Sequence, residues 1–251
     1  MLQVLESDSL KATISHKGAE LLSLCSLRNG REYIWNGDES IWKWHAPVLF
    51  PQCGSFPEGY MHQGKRRFLP IHGFLRDMEH QYQGNGVFSL SFSGSDEYPF
   101  SFEALTSFIL EGSCLIHRVE IKNSSSSPLP CSLGFHTGYA VSRARIEFEG
   151  EEEEIDSKYF KCSDENLREA LLLTGIKSRT ILVEGEEGKR IRISSPHFST
   201  LVIWSPKGHS SDLVCIEPRL DTVPQGGEKP FRMEIEKGHI VALEERIEIL
   251  D

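Results

Sequence analysis

Apolar and polar residues alternate along much of this chain with the period of two that a half-buried strand requires. Phe88, Leu90 and Phe92 alternate with Ser89, Ser91 and Ser93, so one face of that segment is apolar and the other hydroxylated. Phe231, Met233 and Ile235 alternate with Arg232, Glu234 and Glu236 in the same way. The apolar-rich stretches Phe102 to Leu110 and Leu115 to Ile121 flank Glu111-Gly112-Ser113, the layout of a hairpin. Turn sequences separate the runs: Asn29-Gly30, Asn36-Gly37, Gly84-Asn85-Gly86 and Lys237-Gly238. Residues 164–173 differ, because they begin with acids, are rich in Leu, Ala and Glu and stop before Gly175; this predicts a short helix. Many short strands at hairpin spacing, without helices between them, predict an all-β fold, a large antiparallel sandwich.

Composition narrows the possibilities. At 251 residues and 39% hydrophobic, the chain can bury roughly three quarters of its unfolded surface in one core, so a single domain over residues 1–251 is expected. A formal net charge of -10 argues against nucleic acid, which needs a basic face to displace counterions; a neutral small molecule is the easier partner. No apolar run approaches the ~20 residues of a membrane span. Residues Met1 to Lys11 lack the basic and apolar regions of a secretion signal. The six cysteines, at 25, 53, 114, 131, 162 and 215, never reach a Cys-x-x-Cys spacing, which predicts free thiols in a cytoplasmic protein. Oligomeric state is not legible.

Several chemical templates are missing. The chain has no Gly-x-Ser-x-Gly elbow, no His-Glu-x-x-His, no Walker loop, no dinucleotide fingerprint and no His-x-His pair, so neither a metal nor a cofactor is expected. The acidic run Glu149 to Glu154 lacks the alternating ligand spacing of calcium loops and reads as a solvated loop. Asn123-Ser124-Ser125 is formally a glycosylation sequon but reads as a polar turn.

What remains is a cluster at Leu69-Pro70-Ile71-His72-Gly73-Phe74-Leu75-Arg76-Asp77. The His72 imidazole can exchange hydrogen bonds with a ring oxygen, Phe74 can pack on the apolar face of a pyranose, and Arg76 offers a planar fork of donors. Leu133-Gly134-Phe135-His136 and Val214-Cys215-Ile216-Glu217-Pro218 add a second imidazole and a carboxylate, a possible acid/base set. Each has a plainer reading: His72 a loop histidine bonded to backbone, His136 a core histidine between apolar neighbours, Glu217 a strand-end acid, and Arg76 an ion pair with Asp77 or Glu79.

The order of signposts resembles the aldose 1-epimerase (galactose mutarotase) family, in its LacX-like branch. Lys17-Gly18-Ala19-Glu20-Leu21 is similar to that branch's opening motif, Ala46 to Gly54 to its AP-LFP-G segment, and Leu69 to Asp77 to its LP-HGF-RD segment. Tyr98 to Glu103 and Cys215 to Pro218 match in turn. Five ordered matches are far more specific than any one of them. The resemblance implies a mutarotase-like antiparallel β-supersandwich with a sugar cleft on a concave sheet. It also implies interconversion of the α and β anomers of a hexose by ring opening, with Glu217 as base, His136 as acid and His72 hydrogen-bonding near the ring oxygen. Only protons move, so no redox carrier or metal is implied. Two departures stand out: relatives follow the histidine with a proline and then an aromatic, where this chain has Thr137-Gly138-Tyr139, and the tryptophan that often follows their IEP is Arg219. A hexose 6-phosphate mutarotase, using Arg76 or Lys65-Arg66-Arg67 on the phosphate, and a non-catalytic sugar-binding or regulatory protein are the alternatives.

Overall fold

A computed structural model describes residues 1–149, 159–167, 169–175, 178–196, 200–220, 231 and 233–251. Of the acidic run at Glu149 to Glu154 only Glu149 lies among them, and Arg232 lies outside. The regular secondary structure of the described residues is almost entirely strand, and every pairing between named strands is antiparallel.

The alternating segments of the sequence become strands with their apolar positions turned inward. Val87–Phe92 pairs with Phe102–Glu111, setting Phe88 opposite Thr106 and Leu90 opposite Ala104. Phe102–Glu111 turns at Gly112 into Cys114–Asn123, as its hairpin spacing predicts. Met233–Ile235 is also a strand. At Asn123 the side-chain amide donates to the carbonyls of Ser127 (2.8 Å) and Ile235 (2.7 Å), so the sequon asparagine is buried at the start of a polar turn.

Two sheets position the site. One has nine strands, in the order Tyr159–Lys161, Arg145–Glu149, Thr180–Glu184, Arg190–Ser194, Ile240–Ile249, Cys114–Asn123, Phe102–Glu111, Val87–Phe92, Gln81–Gly84. The other follows Leu171–Thr174, Thr200–Trp204, Val214–Arg219, Gly134–Phe135 and Val48–Leu49, with Thr137–Tyr139 also on Val214–Arg219. Their facing side chains form the core: Ile181, Val183, Ile191, Ile193 and Ile247 of the first sheet share a cluster with Leu201, Ile203, Val214 and Ile216 of the second. A neighbouring cluster joins Val119, Ile121 and Leu243 to Phe50, Leu133 and Phe135.

The helix expected over 164–173 does not form. Residues 164–167 are a turn, and Leu171–Thr174 is a strand that pairs Leu171 with Ile203 and Leu173 with Leu201. So short a helix is marginal alone, whereas the strand extends the sheet and packs Leu171 and Leu173 against the core. Among the described residues the one helical element is the 3₁₀ turn Leu75–Asp77.

Candidate active site

Strand alternation decides which side chains meet. In Val214–Arg219, Val214 and Ile216 enter the core, which turns Cys215 and Glu217 to the opposite face of the sheet. Phe135 belongs to the core, and Thr137 bonds inward to the buried Glu245 (2.9 Å), which turns His136 to the same outer face as Glu217. The backbone N–H of His136 donates to the Pro47 carbonyl at 3.1 Å, fixing the residue between its two short strands. His136 Nε2 then stands 3.3 Å from Glu217 Oε1. The other carboxylate oxygen accepts from Arg219 Nη2 at 2.7 Å. Glu217 is 2% exposed and His136 5%.

His72 reaches this pair from a loop. Its backbone is left-handed, at φ 65°, and Gly73 follows at φ 74° with its Cα so close to Phe50 that an added Cβ would lie 2.1 Å from the Phe50 carbonyl oxygen. A non-glycine residue with positive φ is held by its surroundings, and such positions cluster at functional sites. Here a reciprocal pair holds it: the His72 N–H donates to the Gly54 carbonyl (2.9 Å) and the Gly54 N–H donates to His72 Nδ1 (3.1 Å). With Nδ1 an acceptor, the neutral ring carries its proton on Nε2. The His72 ring stands edge-on to His136, centroids 5.2 Å apart.

Tryptophans that sequence reasoning did not single out complete the wall. Trp42 stacks on His136 (centroids 4.9 Å, 27°), and Trp204 stands edge-on to both. Trp42 has room because residue 138 is glycine: a Cβ there would be 2.6 Å from the Trp42 ring. Gly138 thus makes room for a tryptophan seated 96 positions earlier, at a separation no local pattern records.

Arg76 and Phe74 fare differently. The Arg76 guanidinium is buried over the face of Trp44 (4.4 Å), donates to the Ile71 carbonyl (2.8 Å) and holds Asp77 at 3.9 Å. It is close enough to lower the proton affinity of both site histidines. The Phe74 ring packs against Phe92, Tyr98 and Phe102 at the edge of the aromatic core. The basic run is spent locally: Lys65 and Arg67 pair with Asp96, and Arg66 donates to the Glu58 carbonyl.

Electrostatically the site is a dry cluster. Burial pushes His136 down to about 3, helped by Arg219 and Arg76. Burial likewise pushes His72 down to about 3, with His136 acting the same way and Glu217 opposing. Burial raises the Glu217 carboxyl above its ordinary range, against the pull of Arg219. Both rings are thus harder to protonate than exposed imidazoles. Among the described residues no three His, Cys, Asp or Glu side chains converge as metal ligands, and no helix is long and apolar enough to cross a membrane. None of the six cysteines is in a disulfide.

An antiparallel supersandwich that sets a histidine and a glutamate on one sheet face, with a second histidine reaching them from a loop, defines a class. The model of the aldose 1-epimerase family matches residues 1–192, and the chain belongs to that family. It is 24% identical over 262 residues to the chromosomal protein LacX of Lactococcus lactis subsp. lactis, covering 85% of this chain and 86% of that one. Among solved structures, a galactose mutarotase-like protein from Lactobacillus casei superposes with a TM-score of 0.88 at 20% identity over 100% of both chains. A galactose mutarotase related enzyme from Lactobacillus acidophilus gives 0.87 at 20% identity, over 100% of this chain and 98% of that one. These neighbours share the galactose mutarotase-like fold.

Proposed function

We propose that this protein is a mutarotase that opens and recloses the ring of a free hexose, with Glu217 as base, His136 as acid and the His72 Nε2–H directed to the ring oxygen. The observation that carries the reading is the 3.3 Å approach of His136 Nε2 to Glu217 Oε1. In an aldose hemiacetal the hydroxyl that loses a proton and the ring oxygen that gains one are bonded to the same carbon. A base and an acid that serve them must therefore be neighbours, each within hydrogen-bond reach of its oxygen.

The pair works with one proton. When His136 holds it, Glu217 is the carboxylate that takes the C1 hydroxyl proton while His136 protonates the ring oxygen; the C1–O bond breaks, C1 turns, and the reverse transfers reclose the ring on the other face. When Glu217 holds the proton and His136 is neutral, neither role is available in that sense. Burial penalises both charged forms, and the contact of Arg219 with Oε2 opposes that penalty on the carboxylate.

An unphosphorylated substrate is favoured because the basic side chains are engaged: Lys65 and Arg67 on Asp96, Arg219 on Glu217, and Arg76 on the Ile71 carbonyl and Trp44. Polarimetry of freshly dissolved α-glucose, α-galactose and their 6-phosphates tests the proposal. Catalysed relaxation of a free hexose is expected, and Glu217→Gln is expected to lower kcat by about 10²–10⁴-fold. Relaxation no faster than buffer with every sugar would leave a sugar-binding protein without turnover. A kcat/KM at least about tenfold higher for a 6-phosphate, or about 1.4 kcal/mol, would reverse the choice of substrate.

A further inference from the structure

The strand that carries Glu217 also carries, two positions on, the cation that binds it. Residues two apart on a strand share a face, so the backbone itself sets the guanidinium beside the carboxylate, at 2.7 Å from Nη2 to Oε2. Oε1 is left facing His136 Nε2. The contact is shielded, with side-chain exposures of 2% for Glu217 and 12% for Arg219. From this geometry we infer that Arg219 is a positioning residue that holds Glu217 as a carboxylate with Oε1 turned to His136, so that Glu217 is the base and His136 the acid of the pair. The inference rests on the proposed mutarotase chemistry.

The groups around Glu217 bear this out. Arg219 and the buried thiol of Cys215 lie on its own strand. His136 faces it from the segment joining Gly134–Phe135 to Thr137–Tyr139, and His72 acts on it from the loop. Arg76, beyond them, bears on the two imidazoles. Thr200–Trp204 sets the apolar Val202 opposite Glu217. Arg219 is thus the cation in direct contact with the carboxylate, and it opposes the burial that would otherwise protonate Glu217. Arg219 also disfavours charge on His136, but without a hydrogen bond to it. Its removal therefore shifts the pair's proton toward Glu217. An opposite charge within a few ångströms lowers a carboxyl pKa by about 1–3 units.

The test is a ¹³C NMR titration of carboxyl-labelled glutamate in the full-length protein, with the Glu217 signal assigned by its loss in Glu217→Gln. Arg219→Gln is expected to raise the Glu217 midpoint by about one unit or more, and to move the acid limb of kcat/KM upward by the same amount. Arg219→Lys, which keeps the charge, is expected to stay nearer wild type on both. A midpoint unchanged in Arg219→Gln, an acid limb that stays put while the midpoint moves, or a wild-type Glu217 still protonated at pH 7 would each overturn the inference. The last readout serves even where Arg219→Gln does not fold. The NMR midpoint needs no turnover, so a wild-type protein without mutarotation defeats the proposed function separately from the Arg219–Glu217 coupling.

Discussion

Gly138 shows how a missing side chain sets a site. A Cβ at this position would press on the Trp42 ring at 2.6 Å and on the His45 carbonyl at 3.2 Å. Both neighbours are constrained: Trp42 is stacked on His136, and its own carbonyl accepts from Trp35 Nε1 at 2.8 Å. Gly138→Ala is therefore expected to push Trp42 off His136 and lower kcat, by up to about 10²-fold for a displacement near 1 Å. Polarimetric kcat and tryptophan fluorescence would be read together. A shifted fluorescence spectrum with unchanged kcat would show that the stack does not hold His136 in its working position. His72, Arg76, His136 and Glu217 were legible as residue types in recognisable neighbourhoods. Phe74 was legible only as an aromatic, and its commitment to Phe92, Tyr98 and Phe102 depends on partners distant in sequence.

Among the secondary-structure elements, alternation marked Val87–Phe92 and Met233–Ile235 and the turn at Glu111-Gly112-Ser113 marked the hairpin, because both signals are local. The segment 164–173 misled because its local preference is helical while its partner, Thr200–Trp204, lies some thirty residues on. The element scale also holds a buried polar tie between the sheets. Glu245, on Ile240–Ile249, accepts from Thr137 Oγ1 at 2.9 Å and meets His117 Nδ1 at 3.1 Å. All three side chains are 0% exposed, with the His117 ring stacked on Phe108 at 4.4 Å. This tie joins the strand pair of the nine-stranded sheet to the residue just after His136. Glu245→Ala leaves His117 and Thr137 without that partner and is expected to cost about 3–5 kcal/mol in urea denaturation. Glu245→Gln, which keeps an acceptor, should cost less. A loss under about 1 kcal/mol for Glu245→Ala would remove the tie from the account of stability.

For the whole molecule, the buried histidines predict how stability depends on pH. Burial holds His72 and His136 down to about 3 and His80 to about 4. Their folded pKa values lie below the ordinary histidine value, so the unfolded chain binds protons that the folded chain refuses. Stability is then full above about pH 6.5 and falls as the pH drops toward 4 and 3, with a slope of about 1.4 kcal/mol per unit for each fully titrating group. The half-buried His72 contributes less than the other two. Glu217 works in the opposite sense, since a raised carboxyl favours the fold as pH falls, but it is one group against three. Thermal melts at pH 7 and pH 5 are expected to show a lower Tm at pH 5. Equal melting temperatures would mean that the native histidines accept protons as readily as exposed ones.

By itself, the sequence determined the class of fold and the chemistry on offer. Period-two alternation and turn residues act over a few positions, and ordered motifs bring His72, Arg76, His136 and Glu217 into view. Only the tertiary structure decided which of these groups touch. Strand parity sends Phe135 and Thr137 inward and His136 outward, and it sets Glu217 and Arg219 on one face. The cross-sheet register and the His72–Gly54 bonds then bring segments from three parts of the chain within hydrogen-bond or ring contact. Those approaches depend on the pairing of residues far apart in sequence, and the pairing energy of a sheet is not written in the neighbours of either partner.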